Sequence, residues 1–153
     1  MICGRSKMKE PQKISGGRFV DDRGFLKALV FPEGFVPKRL YSVNNWRANF
    51  IRAWHGHKLE SKLIYMSKGS GLVAAAFMSD AVSPDKTAPV YRFAIDSESH
   101  DAIYIPAGYA NGLMSLTMDA EFTVISSASL EESKGDDYRF PFDYWGAWDI
   151  EQR

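Results

Sequence analysis

The chain predicts an all-β domain built as a sandwich or jelly roll, and three features of its 153 residues carry that prediction. Short apolar or alternating runs recur along its length. The intervals between them are rich in Gly, Pro, Asn and Asp, as in Phe31-Pro32-Glu33-Gly34 and Ser83-Pro84-Asp85, residue types that turn a chain. No window sustains a 3.6-residue apolar period over about a dozen residues. Many short, evenly spaced strands are the signature of a double sheet rather than of crossover helices.

The first twenty residues are polar and contain glycine, so residues 1–18 of a single 1–153 domain are expected to be loose or lent to a partner subunit. Strands are then expected near 25–30 and 39–43, where apolar and polar residues alternate. The aromatic and β-branched run at 50–57 reads as a third. Apolar runs at 63–67, 72–78 and 102–105 read as strands as well. Further strands are expected at 90–95, 112–116 and 121–127. One helical turn fits 129–133, with Ser129 as its cap. No repeat, linker or low-complexity segment interrupts this pattern.

Nineteen basic and nineteen acidic residues cancel, which gives no whole-domain attraction to nucleic acid or to an anionic membrane. A lone Cys3 cannot form an internal disulfide. No apolar run reaches the ~18 residues of a spanning helix, and the N-terminus is charged within its first ten residues. A cytoplasmic protein is expected. No P-loop, dinucleotide fingerprint or nucleic-acid motif is present.

The chemistry concentrates in Arg52-Ala53-Trp54-His55-Gly56-His57-Lys58, followed by Lys62. On a strand, side chains alternate faces, so His55 and His57 point the same way about 7 Å apart. Two imidazoles with cations beside them have the parts to move protons next to an anionic substrate.

Four segments in order resemble the cupin family of nucleotide-sugar epimerases. They are Phe19-Val20-Asp21-Asp22-Arg23-Gly24-Phe25; Arg52-Ala53-Trp54-His55 with Ser61-Lys62-Leu63-Ile64; Ile105-Pro106-Ala107-Gly108-Tyr109-Ala110-Asn111-Gly112-Leu113; and Pro141-Phe142-Asp143 with Trp148. The resemblance spans residues 19 to 148 and implies a cupin-like double-sheet jelly roll, a homodimer, no cofactor, and a nucleoside-diphosphate 4-keto-6-deoxy sugar as substrate. A hydrogen next to the C4 ketone is acidic enough for a placed base to remove. The resemblance makes His55 that base and Asp143 the carboxylate that orients it. Lys62 would stabilise the enolate oxygen, and Arg23 and Arg52 would bind the diphosphate, for which a planar guanidinium is suited. His57 would be a second proton carrier or polar contact, and Asn111 would contact the sugar.

Two positions depart from the pattern. The epimerases carry a catalytic tyrosine on the strand after the Ile-Pro motif, a position that falls near Val124 here with no tyrosine available, and Asn111 replaces the motif histidine. Tyr41, Tyr104 and Tyr109 are the candidate replacement proton donors. Sugar 3,4-ketoisomerases of the same superfamily carry R-G-x-H-x-H-K and an upstream R-x-Y, which Arg52–Lys58 and Arg39-Leu40-Tyr41 resemble. The epimerase reading comes first and the ketoisomerase second. A metal-dependent cupin using His55, His57 and Glu60 is a third, and a non-catalytic nucleotide-sugar binder with aromatic stacking residues is a fourth.

Overall fold

The computed structural model describes residues 9–153; Cys3 and the rest of the first eight lie outside them. The strands are β1 (Gln12–Ser15), β2 (Gly17–Asp21), β3 (Gly24–Ala28), β4 (Arg39–Asn44), β5 (Ile51–Gly56), β6 (Lys62–Lys68), β7 (Ser70–Phe77), β8 (Val90–Asp96), β9 (Asp101–Ile105), β10 (Tyr109–Ser115) and β11 (Glu121–Ser126). Helix α1 (Leu130–Lys134) and the short β12 (Tyr138–Arg139) follow. Two five-stranded antiparallel sheets, β1-β9-β6-β11-β4 and β12-β5-β10-β7-β8, lie face to face, and β2-β3 forms a separate hairpin. This is the expected double-sheet jelly roll.

The core lies between the sheets. Ile64, Met66, Phe122 and Val124 of the first meet Val73, Ala75 and Leu113 of the second. Each sheet is also covered on its outer face. Trp54, Ala74, Ala76 and Ala110 pack under Phe140 and Trp145 from the C-terminal segment. Leu63, Ala102 and Ile125 pack with Leu29 and Phe35. Two-sided cover explains the continuous apolar runs of β6 and β7. Gly112 serves that close packing: a Cβ there would come within 2.7 Å of Ala53 and Trp148.

The short and polar strands were not anticipated. β1 pairs with β9 of its own chain, so residues 12–15, expected to be loose or lent, form the edge of the first sheet. The hairpin β2–β3 was missed in its first half, and β12 is only two residues long. Helix α1 starts as expected. Ser129 accepts from the Glu132 backbone N–H and Glu132 reaches back, a reciprocal cap. Among the described residues no helix is long and apolar enough to cross a membrane.

Candidate functional site

The edge strands β4 and β5/β12 leave the sandwich open on one side, and β4 shows why this edge is special. Its inward positions are Arg39, Tyr41 and Val43, whereas Leu40 points out and is 62% exposed. A strand that turns its leucine out and its arginine in breaks the usual burial order, and such local conflicts mark functional sites.

A cavity of about 280 Å³ opens there, lined by Tyr41, Val43, Lys62 and Val124 of the first sheet and by Arg52, His55, Asn111 and Leu113 of the second. Arg52 and His55 are three residues apart, so a regular strand would send them to opposite faces. The β5–β10 pairing slips: Asn111 opposes His55, and Leu113 opposes Arg52. The extra residue on β5 makes a bulge. It brings Arg52 and His55 onto one wall and leaves Trp54 buried on the other side.

Lys62 is only 5% exposed, and its Nζ lies 3.5 Å from Asn111 Oδ1. Arg52 Nε donates to Asn45 Oδ1 at 2.8 Å, and Asn45 is itself held by Ser115 Oγ at 2.6 Å. Among the described residues neither cation has a carboxylate partner. The cavity therefore presents uncompensated positive charge, preorganised for an anion. Burial pushes the His55 pKa down to about 4, with Arg139 and Lys62 adding to the fall and Asp137 opposing it. His55 is thus neutral at ordinary pH and able to accept a proton.

A second pocket of about 220 Å³ continues the first and shares Tyr41, His55 and Lys62 with it; Arg39, His57, Asp137 and Arg139 complete its wall. His57 Nδ1 lies 2.5 Å from the Asp136 carbonyl oxygen. Donation there fixes the tautomer and leaves Nε2 as the free acceptor. Burial, with Lys62, lowers the pKa of His57 as well. Asp136 holds this corner: its carboxylate accepts from the backbone N–H groups of Lys58 at 2.8 Å, Leu59 at 2.8 Å and Glu60 at 3.1 Å.

Glu60, weighed as a metal ligand, is a buried structural hub. It accepts from Ser126 Oγ at 2.5 Å, Ser133 Oγ at 2.8 Å and Arg39 Nη2 at 3.3 Å, and lies 3.2 Å from His57 Nδ1. Arg39 Nη1 is buried without a partner. Among the described residues no three His, Cys, Asp or Glu side chains are grouped to hold a metal.

Of the residues expected at the site, His55, His57, Lys62, Arg52, Asn111 and Tyr41 come together. Two do not. Asp143 is exposed on the C-terminal segment over the outer face of the second sheet and lines neither pocket. Asp137, delivered by the turn after α1, lines the second pocket with His55 and favours its protonation through space, while its carboxylate holds Arg139. Arg23 stands at the tip of the β2–β3 hairpin, 86% exposed and bonded to Asp21 at 2.5 Å. Tyr104 packs outside the first sheet with Phe35, and Tyr109 packs in the core against Tyr91 and Phe77. Tyr41 alone of the three candidate donors reaches the cavity. Sequence reasoning missed Asp136, Asp137 and Arg139, which sit in an unremarkable polar stretch. Arg39 is reached through the Arg39-Leu40-Tyr41 resemblance, and its inverted polarity is a second signal for it.

No protein-family model matches the chain, and no curated protein sequence matches it significantly. Solved structures do. A dTDP-4-dehydrorhamnose 3,5-epimerase from Elizabethkingia anophelis superposes with TM-score 0.76 at 17% identity, over 96% of this chain and 85% of that one. The Sulfolobus tokodaii enzyme of the same name gives 0.73 at 21%, over 92% and 82%. The TDP-quinovose 3,4-ketoisomerase of Campylobacter jejuni gives 0.69 at 19%, over 90% and 98%. The chain therefore has the cupin jelly roll that these epimerases and ketoisomerases share.

Proposed function

We propose that the protein is an epimerase of a nucleoside-diphosphate 4-keto-6-deoxy sugar. One observation carries this reading: Tyr41 is the cross-strand partner of Val124. The family tyrosine position falls near Val124, so in this reading the phenol is supplied from the neighbouring strand, where Tyr41 lines the same cavity as His55. Inversion needs a base on one side of the reacting carbon and an acid on the other, and His55 and Tyr41 belong to opposite sheets. His55 takes the proton next to the ketone, and the electron pair moves into the C–C bond as the ketone oxygen becomes an enolate. Lys62 stabilises that oxygen. Tyr41 then returns a proton from the far side. Arg52 holds the diphosphate. Solved neighbours captured with dTDP and dTDP-quinovose support this ligand class.

Tyr41→Phe tests the division of labour. Inversion is expected to fall at least ~100-fold, while deuterium from D₂O still enters the carbon with configuration retained, through His55. Undiminished inversion would remove Tyr41 from the mechanism. A second reading, 3,4-ketoisomerisation, draws on one feature: His57 lines a pocket together with His55 and Tyr41. A product with its ketone at C3 would establish it.

The protein acts as a homodimer in this reading. The β2–β3 hairpin exposes Phe19, Val20, Phe25 and Leu26, each 60–67% accessible, an apolar surface of the kind that marks an interaction site. Docked on a second copy, it would also carry Arg23 to a partner. Sedimentation is expected to give twice 17.2 kDa; a monomer at micromolar concentration would contradict this.

A further inference from the structure

We propose that Trp46, with Arg47 and Phe50, forms the subsite for the nucleobase; the inference rests on the nucleotide-sugar reading above. Of the four tryptophans, Trp54 and Trp145 are buried and Trp148 is half-buried in the outer layer, but Trp46 is 95% exposed. Leaving so large an apolar ring in water is unfavourable unless something covers it. Trp46 lies in the turn directly after β4, where a pocket of about 280 Å³ is lined by Asn45, Trp46, Arg47, Phe50 and Arg52.

Arg52 lines this pocket and also the cavity of His55 and Lys62. That cavity in turn shares Tyr41, His55 and Lys62 with the pocket of His57 and Arg39. The three recesses adjoin along the open edge, from Trp46 just beyond the end of β4 to Arg39 at its start. Seven residue steps of extended chain separate the two, roughly 23 Å at most. Along this edge the chemistry runs in order: aromatic surface, then a guanidinium with no carboxylate partner among the described residues, then base and ammonium. A nucleoside-diphosphate sugar has the same order of parts, an aromatic base, an anionic bridge and a reacting ring. Only one orientation matches all three, with the base at Trp46, the diphosphate at Arg52 and the sugar at His55.

The stacking surface is built as well as exposed. The Arg47 guanidinium lies over the Phe50 ring at 5.5 Å. This leaves the Trp46 face for a planar ligand, and Arg47 adds a second cation to the lining of that pocket beside Arg52. A π-face accepts any base, so the subsite supplies affinity rather than choice among bases.

Calorimetric titration of dTDP and of inorganic pyrophosphate into wild type, Trp46→Ala and Trp46→Phe tests this. The alanine variant is expected to bind dTDP about 10- to 100-fold more weakly while pyrophosphate affinity stays within about twofold, and phenylalanine is expected to recover most of the loss. Equal dTDP affinity in Trp46→Ala and wild type would overturn the subsite and leave the epimerase reading standing. A parallel loss of dTDP and pyrophosphate, or a variant that sediments as a monomer, would reassign Trp46 to structure or to the subunit interface. Wild type that binds no nucleoside diphosphate would overturn both readings together. Trp46 contributes nothing to the core, so its replacement leaves the fold intact.

Discussion

His55→Ala is expected to abolish deuterium wash-in from D₂O, lowering the rate by about 10³- to 10⁴-fold, while dTDP binds within about threefold of wild type. The argument is geometric. His55 lies on β5 opposite Asn111 and shares its cavity with Lys62 and Tyr41. In the proposed mechanism the diphosphate is held at Arg52, beyond the bulge, so removing the imidazole is expected to delete proton transfer without touching the nucleotide end. Activity retained in the variant would refute His55 as the base.

The pH profile gives the same residue a second signature. With its pKa near 4 in the free protein, the acid limb of kcat/KM is expected near pH 4 rather than near 6.5. A bound diphosphate neutralises part of the field of Lys62 and Arg139, so the limb in kcat is expected at higher pH than that in kcat/KM. The stability effect has a matching sign. The unfolded chain takes up a proton at His55 from about pH 6.5 downward, and the folded chain only near 4. Stability is therefore lost as pH falls through that window, and His55→Gln removes that part of the slope.

Asp136→Ala is expected to be the most destabilising single change at the site. Its buried carboxylate accepts three backbone N–H groups that fix the turn at 58–60. Alanine leaves those donors without an acceptor, at a cost of about 3 kcal/mol. That corresponds to a Tm lowered by roughly 6–12 °C for a chain of this size. Asp136→Asn, which keeps an acceptor oxygen but loses the charge, is expected to fall between the two. Melting by circular dichroism checks the series, and an unchanged Tm in the alanine variant would refute the role.

The strands and their stacking were legible because burial writes itself as period-2 alternation or as continuous apolar runs, as β4, β6, β7 and β11 show. The polar edge strand β1, the hairpin strand β2 and the two-residue β12 carry no such signal, since little apolar surface is buried there. The site was legible where its residues are local in sequence: His55, His57 and Lys62 fall within eight residues. Asn111 and Tyr41 were reached through motif resemblance. Asp136 and Asp137 were not, because only folding carries the turn after α1 to β5, some 80 residues earlier. Asp143 illustrates the converse: its C-terminal context matched a pattern, but the chain runs over the outer face of the sheet instead of into the sandwich. Ser129 was read correctly because capping is a local geometry.

Proton NMR of dTDP-4-keto-6-deoxyglucose incubated with the protein in D₂O is the decisive measurement. Deuterium is expected at C3, C5 or both, with ring couplings changed to those of the inverted sugar. A substrate that binds yet gains no deuterium at any carbon would contradict proton abstraction and leave a nucleotide-sugar binding protein in its place.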